Sequence, residues 1–147
     1  MSIKERLQED WKQALKAKDK LKVDTITMAK SAILLVEKTN GTKLEDSQVI
    51  EVLAKEVKQR REALLEFEKG NRQDLVDAAN AEISILLGYL PKQLTDDEIY
   101  EIVKKAADEI GASSIKDIGK VMKAVNPQVK GIADGKTVSE IVKKYLS

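Results

Sequence analysis

Apolar side chains recur at helical spacing along almost the whole chain, and no stretch of useful length alternates with a period of two. Ile3, Leu7, Trp11 and Leu15 stand four apart and predict one stripe of a first helix. Ser2 and Glu5 form a capping box ahead of it, where hydroxyl and carboxylate satisfy backbone N–H groups that lack partners in the first turn. A second helix is expected after Asp19, with Val23, Ile26, Ile33 and Leu34 inward, running to Asn40 and stopped by Gly41. A third starts near Asp46, carries Val49, Leu53, Val57, Leu64 and Phe67, and ends before Gly70. A fourth uses Leu75, Val76, Ala79, Ile83, Leu86 and Leu90, and Pro91 limits its continuation.

Beyond Pro91 the elements shorten. Thr95 and Glu98 form a second capping box, opening a helix with Ile99, Ile102, Val103, Ala106 and Ile110 that Gly111 closes. Ser113 or Ser114 is expected to cap the next, with Ile115, Ile118, Met122 and Val125 inside and Asn126-Pro127 as its end. Thr137 and Glu140 form a third box before a last helix with Val138, Ile141, Val142 and Tyr145. The fold read from this pattern is all-α. It has an N-terminal domain of about four helices over residues 1–90 and a small three-helix domain over 91–147. Charge changes at the same place. Residues 1–90 hold 16 basic and 16 acidic side chains, 91–114 hold 3 and 6, and 115–147 hold 7 and 3.

Composition removes most enzyme classes. The chain contains no histidine and no cysteine. Disulfides, thiolate nucleophiles, Cys/His zinc sites, imidazole bases and Ser-His-Asp triads are therefore excluded together. Carboxylates are abundant, as in Asp96-Asp97-Glu98, but that cluster lies in a helix's first turn, where negative charge is favoured anyway. No apolar pocket singles out an acid–base pair, so no catalytic residue, metal site or cofactor is expected. Residues 1–11 have no apolar signal-peptide core, and the longest aliphatic run is Ala32–Val36. These features lead to the expectation of a cytoplasmic protein with no membrane partner. Only five aromatics are present, few platforms for stacking bases.

The most unusual stretch runs from Val129 to Thr137. Gly131 and Gly135 permit a tight backbone, and the segment leads into a helix start flanked by Lys130 and Lys136. Helix N-termini present unpaired N–H groups and partial positive charge, so a phosphate is one occupant such a loop can hold. A plain interhelical loop with solvated lysines is the alternative. A Walker A motif is not matched, because three residues rather than four separate the glycines and no strand precedes them. Lys116, Lys120 and Lys123, spaced for one helical face with Asp117 the only nearby acid, extend the basic patch. A second basic set, Lys55, Lys58, Arg60 and Arg61, lies among Glu51, Glu56 and Glu62 and reads as a solvated, salt-bridged face.

Several segments together carry a family resemblance. They are Gly88-Tyr89-Leu90-Pro91-Lys92-Gln93-Leu94-Thr95, Gly111-Ala112-Ser113-Ser114, Asp117-Ile118-Gly119-Lys120-Val121-Met122, and Val129-Lys130-Gly131 with Ala133-Asp134-Gly135-Lys136. In combination they resemble the YqeY-like proteins. Lys58-Gln59-Arg60-Arg61 and Glu66-Phe67-Glu68-Lys69 also fit that type, so the resemblance covers the whole chain. The C-terminal part is similar to the tail domain of GatB, a component of the glutamine-dependent aspartyl/glutamyl-tRNA amidotransferase.

The resemblance implies an accessory or tRNA-binding role linked to transamidation. A carbon–nitrogen ligase label with glutamine as amido donor attaches by family alone. Ile132 stands where the family pattern carries a basic residue, which removes one cation from the loop. Phosphate contacts are expected from Lys120, Lys123, Lys130 and Lys136, with Gly131, Gly135 and Thr137 shaping the loop and helix start. The partner is expected to be tRNA, with an aminoacyl-tRNA synthetase or amidotransferase as a protein partner and no DNA. The rival expectation is a protein-interaction module without RNA contact or catalysis.

Overall fold

The computed structural model describes residues 1–147 and is all-α. Seven α-helices follow one another as α1 (Ile3–Lys16), α2 (Lys20–Asn40), α3 (Asp46–Lys69), α4 (Gln73–Leu87), α5 (Asp96–Ile110), α6 (Ile118–Val129) and α7 (Gly135–Leu146), with a single 3₁₀ turn, Ile115–Asp117, before α6. Two compact units divide the chain, Met1–Leu90 and Pro91–Ser147.

In the N-terminal unit α3 packs along α4 and α1 along α2, around a core that includes Leu7, Ile26, Val49, Leu53 and Leu86. Caps decide where the helices begin and stop. Ser2 and Glu5 make the reciprocal box at α1, Asp19 accepts from the Lys22 N–H at α2, and Gly41 ends α2 in the left-handed conformation at φ +72°. The Glu37 carboxylate joins three segments: it pairs with Lys4 at 2.6 Å and accepts from the Leu44 N–H at 2.8 Å. That bond to Lys4, then the one from Leu44, holds the Glu37 carboxyl below its ordinary range.

Two core expectations in this unit are corrected. Leu15 is exposed and Ala14 takes the inward place. A strict four-residue repeat advances about 40° per step on a helix of 3.6 residues per turn, so the fourth member rotates out of the core. Leu34 is exposed as well, because its neighbour Ile33 occupies the buried line of Ile26, Ala29 and Ile33.

The C-terminal unit packs α5, α6 and α7 against one another around Val103, Val121, Val125, Val138 and Val142. Thr95 and Glu98 cap α5 reciprocally, and Gly111 closes it at φ +69°. Ile115, expected inside, is exposed because it lies in the 3₁₀ turn ahead of α6, and three termini also differ from expectation. Neither Ser113 nor Ser114 caps α6 through its side chain; Asp117 instead reaches back and accepts from the Ser113 N–H at 3.1 Å. Asn126-Pro127 does not end α6, which continues to Val129. Proline inside the last turn removes one helical bond there, and burial of Val129 favours carrying the helix on. α7 begins at Gly135 with Asp134 as its cap, so the expected Thr137–Glu140 box is absent.

Candidate nucleic-acid interface

The loop between α6 and α7 is built by hydrogen bonds to the segment that follows Pro91. Gly131 is buried and takes φ +80°, a conformation that a side chain would strain. Its carbonyl accepts from Gln93 Nε2 at 3.0 Å, and the same amide donates to the Pro91 carbonyl at 2.9 Å. The Leu94 N–H donates to the Ile132 carbonyl at 2.7 Å, while Ile132 and Ala133 N–H groups both donate to Val129 at 3.0 Å. The Pro-Lys-Gln-Leu and Lys-Gly-Ile-Ala-Asp-Gly-Lys segments are thus two halves of one stitched element. Gly135, by contrast, lies inside α7 with open space where a Cβ would stand.

The α7 N-terminus is already occupied by an anion of the chain itself. Asp134 accepts from the Lys136 N–H at 3.4 Å and from Thr137 Oγ1 at 3.2 Å. The carboxylate therefore stands at the partial positive charge where a phosphate was one of the two alternatives. Thr137 is half-buried and holds the cap in place. Any contact with an external anion then falls to lysine side chains. Lys120 and Lys123 are exposed on α6, Lys130 is exposed at its C-terminal end, and Lys136 is exposed in the first turn of α7. Lys116 lies in the 3₁₀ turn, so Lys116, Lys120 and Lys123 do not form the single α-helical face expected. Lys143 and Lys144 are also exposed, in the last turn of α7; the charge count over 115–147 includes them, but no motif singles them out.

The Gly88-Tyr89 pair serves the N-terminal unit. Tyr89 is buried, its hydroxyl donates to Asp10 Oδ2, and the Arg6 guanidinium lies 5.0 Å from its ring centre while donating to the Gly88 carbonyl at 3.1 Å. Burial first, then the hydrogen bond to Asp10, pushes the phenol well above its ordinary value of 10.0. The folded chain therefore keeps this proton at a pH where the unfolded chain has lost it. The contribution is complete below about pH 10 and falls as pH rises beyond it. Tyr89→Phe is expected to cost about 1 kcal/mol at neutral pH and to flatten the alkaline loss. Urea unfolding followed by Trp11 fluorescence at neutral pH and near pH 11 measures both.

Arg60 departs most from its expected setting. It is only 9 % exposed, and its Nη1 donates to the Glu56 carbonyl at 3.1 Å. Its guanidinium lies 3.6 Å from carboxylate oxygens of both Glu56 and Glu82. The Glu56–Arg60 spacing is legible in the sequence; Glu82 comes from α4 and is not. Arg60 is therefore part of the packing of α3 on α4, whereas Lys55 and Lys58 are exposed. A groove of about 400 Å³ runs along α1 and α2, lined by Leu7, Trp11, Lys30 and Leu34 among others. No group of three or more Asp or Glu side chains is placed to hold a metal ion, and no helix is long and apolar enough to cross a membrane.

Comparison with known proteins places these features in a family. The model of the family described as "Yqey-like protein" matches residues 4–146. "Altered inheritance of mitochondria protein 41, mitochondrial" of Pyrenophora tritici-repentis is 31 % identical over 144 residues, covering 96 % of this chain and 79 % of that protein. The protein of the same name in Vanderwaltozyma polyspora is 28 % identical, covering 76 % of this chain and 64 % of its own length. That of Kluyveromyces lactis is 38 % identical over 84 residues, covering 56 % and 45 %. These names overturn the cytoplasmic expectation, since they place the relatives in mitochondria. An apolar core marks a secretory signal only, whereas mitochondrial transit segments are amphipathic and rich in Arg and Ser. With residues 4–146 matched by the family model, the chain belongs to the YqeY-like family.

Proposed function

We propose that the protein is a tRNA-engaging accessory factor linked to glutamine-dependent transamidation, acting through the α6–α7 surface. The observation that carries this reading is the set of exposed lysines, Lys120 and Lys123 on α6 and Lys130 and Lys136 flanking the loop that Gln93 and Leu94 hold. Exposed ammonium groups suit backbone phosphates, which position a nucleic acid without reading its sequence. The similarity of this part to the GatB tail domain, implied by its segments, supplies the link to tRNA. Because Asp134 caps α7, the contacts are charge contacts of side chains, and Ile132 adds none. A modest, salt-sensitive affinity follows from a net charge of +1.

The test is binding of the full chain to bulk tRNA across a salt series. Lys130→Ala with Lys136→Ala is expected to weaken binding and to lower the slope of log affinity on log salt by about 0.7–0.9 for each phosphate no longer neutralised. Helical content should stay unchanged, since both side chains are exposed. Unaltered affinity in this double variant overturns the site. Absence of tRNA binding at low salt overturns the function and leaves the protein-interaction reading.

A further inference from the structure

We propose that the turn joining α1 to α2 docks on an anionic lipid surface. Lys12, Lys16, Lys18, Lys20 and Lys22 fall within eleven residues that contain one acid, Asp19. The Asp19 carboxylate is engaged in the α2 cap, accepting from the Lys22 N–H at 3.2 Å. Four of these lysines are exposed and Lys22 is half-buried, and none of the five takes part in an ion pair. The remainder of residues 1–90 holds 11 basic and 15 acidic side chains, so the unit's positive charge is concentrated at this tip. Charge of that distribution orients the molecule toward a negative surface.

Two leucines sit among the lysines. Leu15 is 48 % exposed at the end of α1, and Leu21 is 39 % exposed at the start of α2. Exposed aliphatic side chains adjoining lysines in the chain, Leu15 beside Lys16 and Leu21 between Lys20 and Lys22, match the boundary between lipid headgroups and acyl chains. They add nothing to a contact with nucleic-acid phosphates. The nearest aromatic, Trp11, is engaged within the fold, its indole N–H donating to Thr27 Oγ1 at 3.1 Å and its ring covered by Lys30 at 4.7 Å. That pairing removes the stacking platform a single strand would use.

The tip is also pre-formed. Ala17, Lys18 and Asp19 N–H groups donate to Gln13, Leu15 and Ala14 carbonyls at 2.9, 3.1 and 3.0 Å. Lys18 takes φ +57°, so a cation stands at a turn position where glycine would be the least strained residue. Binding of this kind needs no membrane span. It is reversible and falls with salt.

The experiment is co-sedimentation of the full chain with vesicles of phosphatidylcholine alone and of phosphatidylcholine with about one-third phosphatidylserine, across a salt series. Binding is expected on the anionic vesicles only. Lys16→Gln, Lys18→Gln and Lys20→Gln combined should weaken it about 100-fold, at about fivefold per charge. Leu15→Ala with Leu21→Ala should weaken it about tenfold while keeping the wild-type salt slope. Unchanged melting of both variants shows that the fold is intact. No sedimentation with anionic vesicles at low salt overturns the proposal, as does a leucine variant that binds like the wild type. Loss of bulk tRNA binding in the lysine variant, without vesicle binding by the wild type, makes the tip an RNA contact and likewise overturns it.

Discussion

Val142→Asp is expected to unfold the C-terminal unit and leave the N-terminal unit folded. Val142 is 0 % exposed and packs in a cluster with Val103, Val121, Val125 and Val138. The substitution removes a buried valine, about 1.5–3 kcal/mol, and places a carboxylate within an apolar cluster, a penalty of several kcal/mol. A unit of fewer than about 60 residues has roughly 3–8 kcal/mol of stability in all. The change therefore exceeds what the unit can absorb. The chain's single tryptophan, Trp11, lies in the other unit and reports on it alone. Far-UV circular dichroism should lose the helical signal of α5–α7 while the Trp11 denaturation curve keeps its midpoint. A shift of that midpoint by more than about 1 kcal/mol would show that the two units fold as one.

Arg60→Ala should destabilise the N-terminal unit by about 3 kcal/mol. The guanidinium lies between Glu56, whose side chain is 15 % exposed, and Glu82, at 24 %. Removing it leaves two largely shielded carboxylates without their cation and opens a gap beside Met28, whose Sδ lies 3.8 Å from Nη2. Breaking one side of a buried pair is costly because the remaining charge stays desolvated. The 3.6 Å separations are long for ion pairs, which places the cost at the lower end of the usual range of about 3–5 kcal/mol. Arg60→Lys keeps the charge and loses the fork that spans both acids, so about half the loss is expected. Urea denaturation followed by Trp11 fluorescence measures both variants. A loss under about 1 kcal/mol for Arg60→Ala would mean that the pair behaves as a surface salt bridge.

The candidate site changes character once the caps are seen. As a sequence, Lys130 to Thr137 offers a glycine loop leading to a helix start expected to be capped by Thr137. Such a segment can be a plain interhelical loop or a place for a phosphate on backbone N–H groups. In the fold Asp134 holds that position, Thr137 supports it, and Gly131 alone needs the freedom of glycine. Glycine spacing shows that a turn occurs. Which group fills the helix terminus depends on where the helix begins, and Asp134 two residues ahead of Lys136 outcompetes Thr137 for that role. The lysines remain as the part of the site that faces outward.

The helices and most of their ends follow from the amino-acid order alone, because apolar periodicity, capping residues and left-handed glycines act over a few neighbouring positions. Asp19, Gly41, Thr95 and Gly111 all bound the helices they were expected to bound. Family membership was likewise legible in its segments. Which apolar residues face inward, and which polar ones are shielded, is settled by packing. Leu15 and Leu34 are left at the surface, Pro127 is carried inside α6 by the burial of Val129, and Arg60 is enclosed when α4 brings Glu82 across. The division has one physical cause. A cap or a turn is satisfied by groups a few residues away, whereas burial and charge pairing depend on what a distant helix contributes.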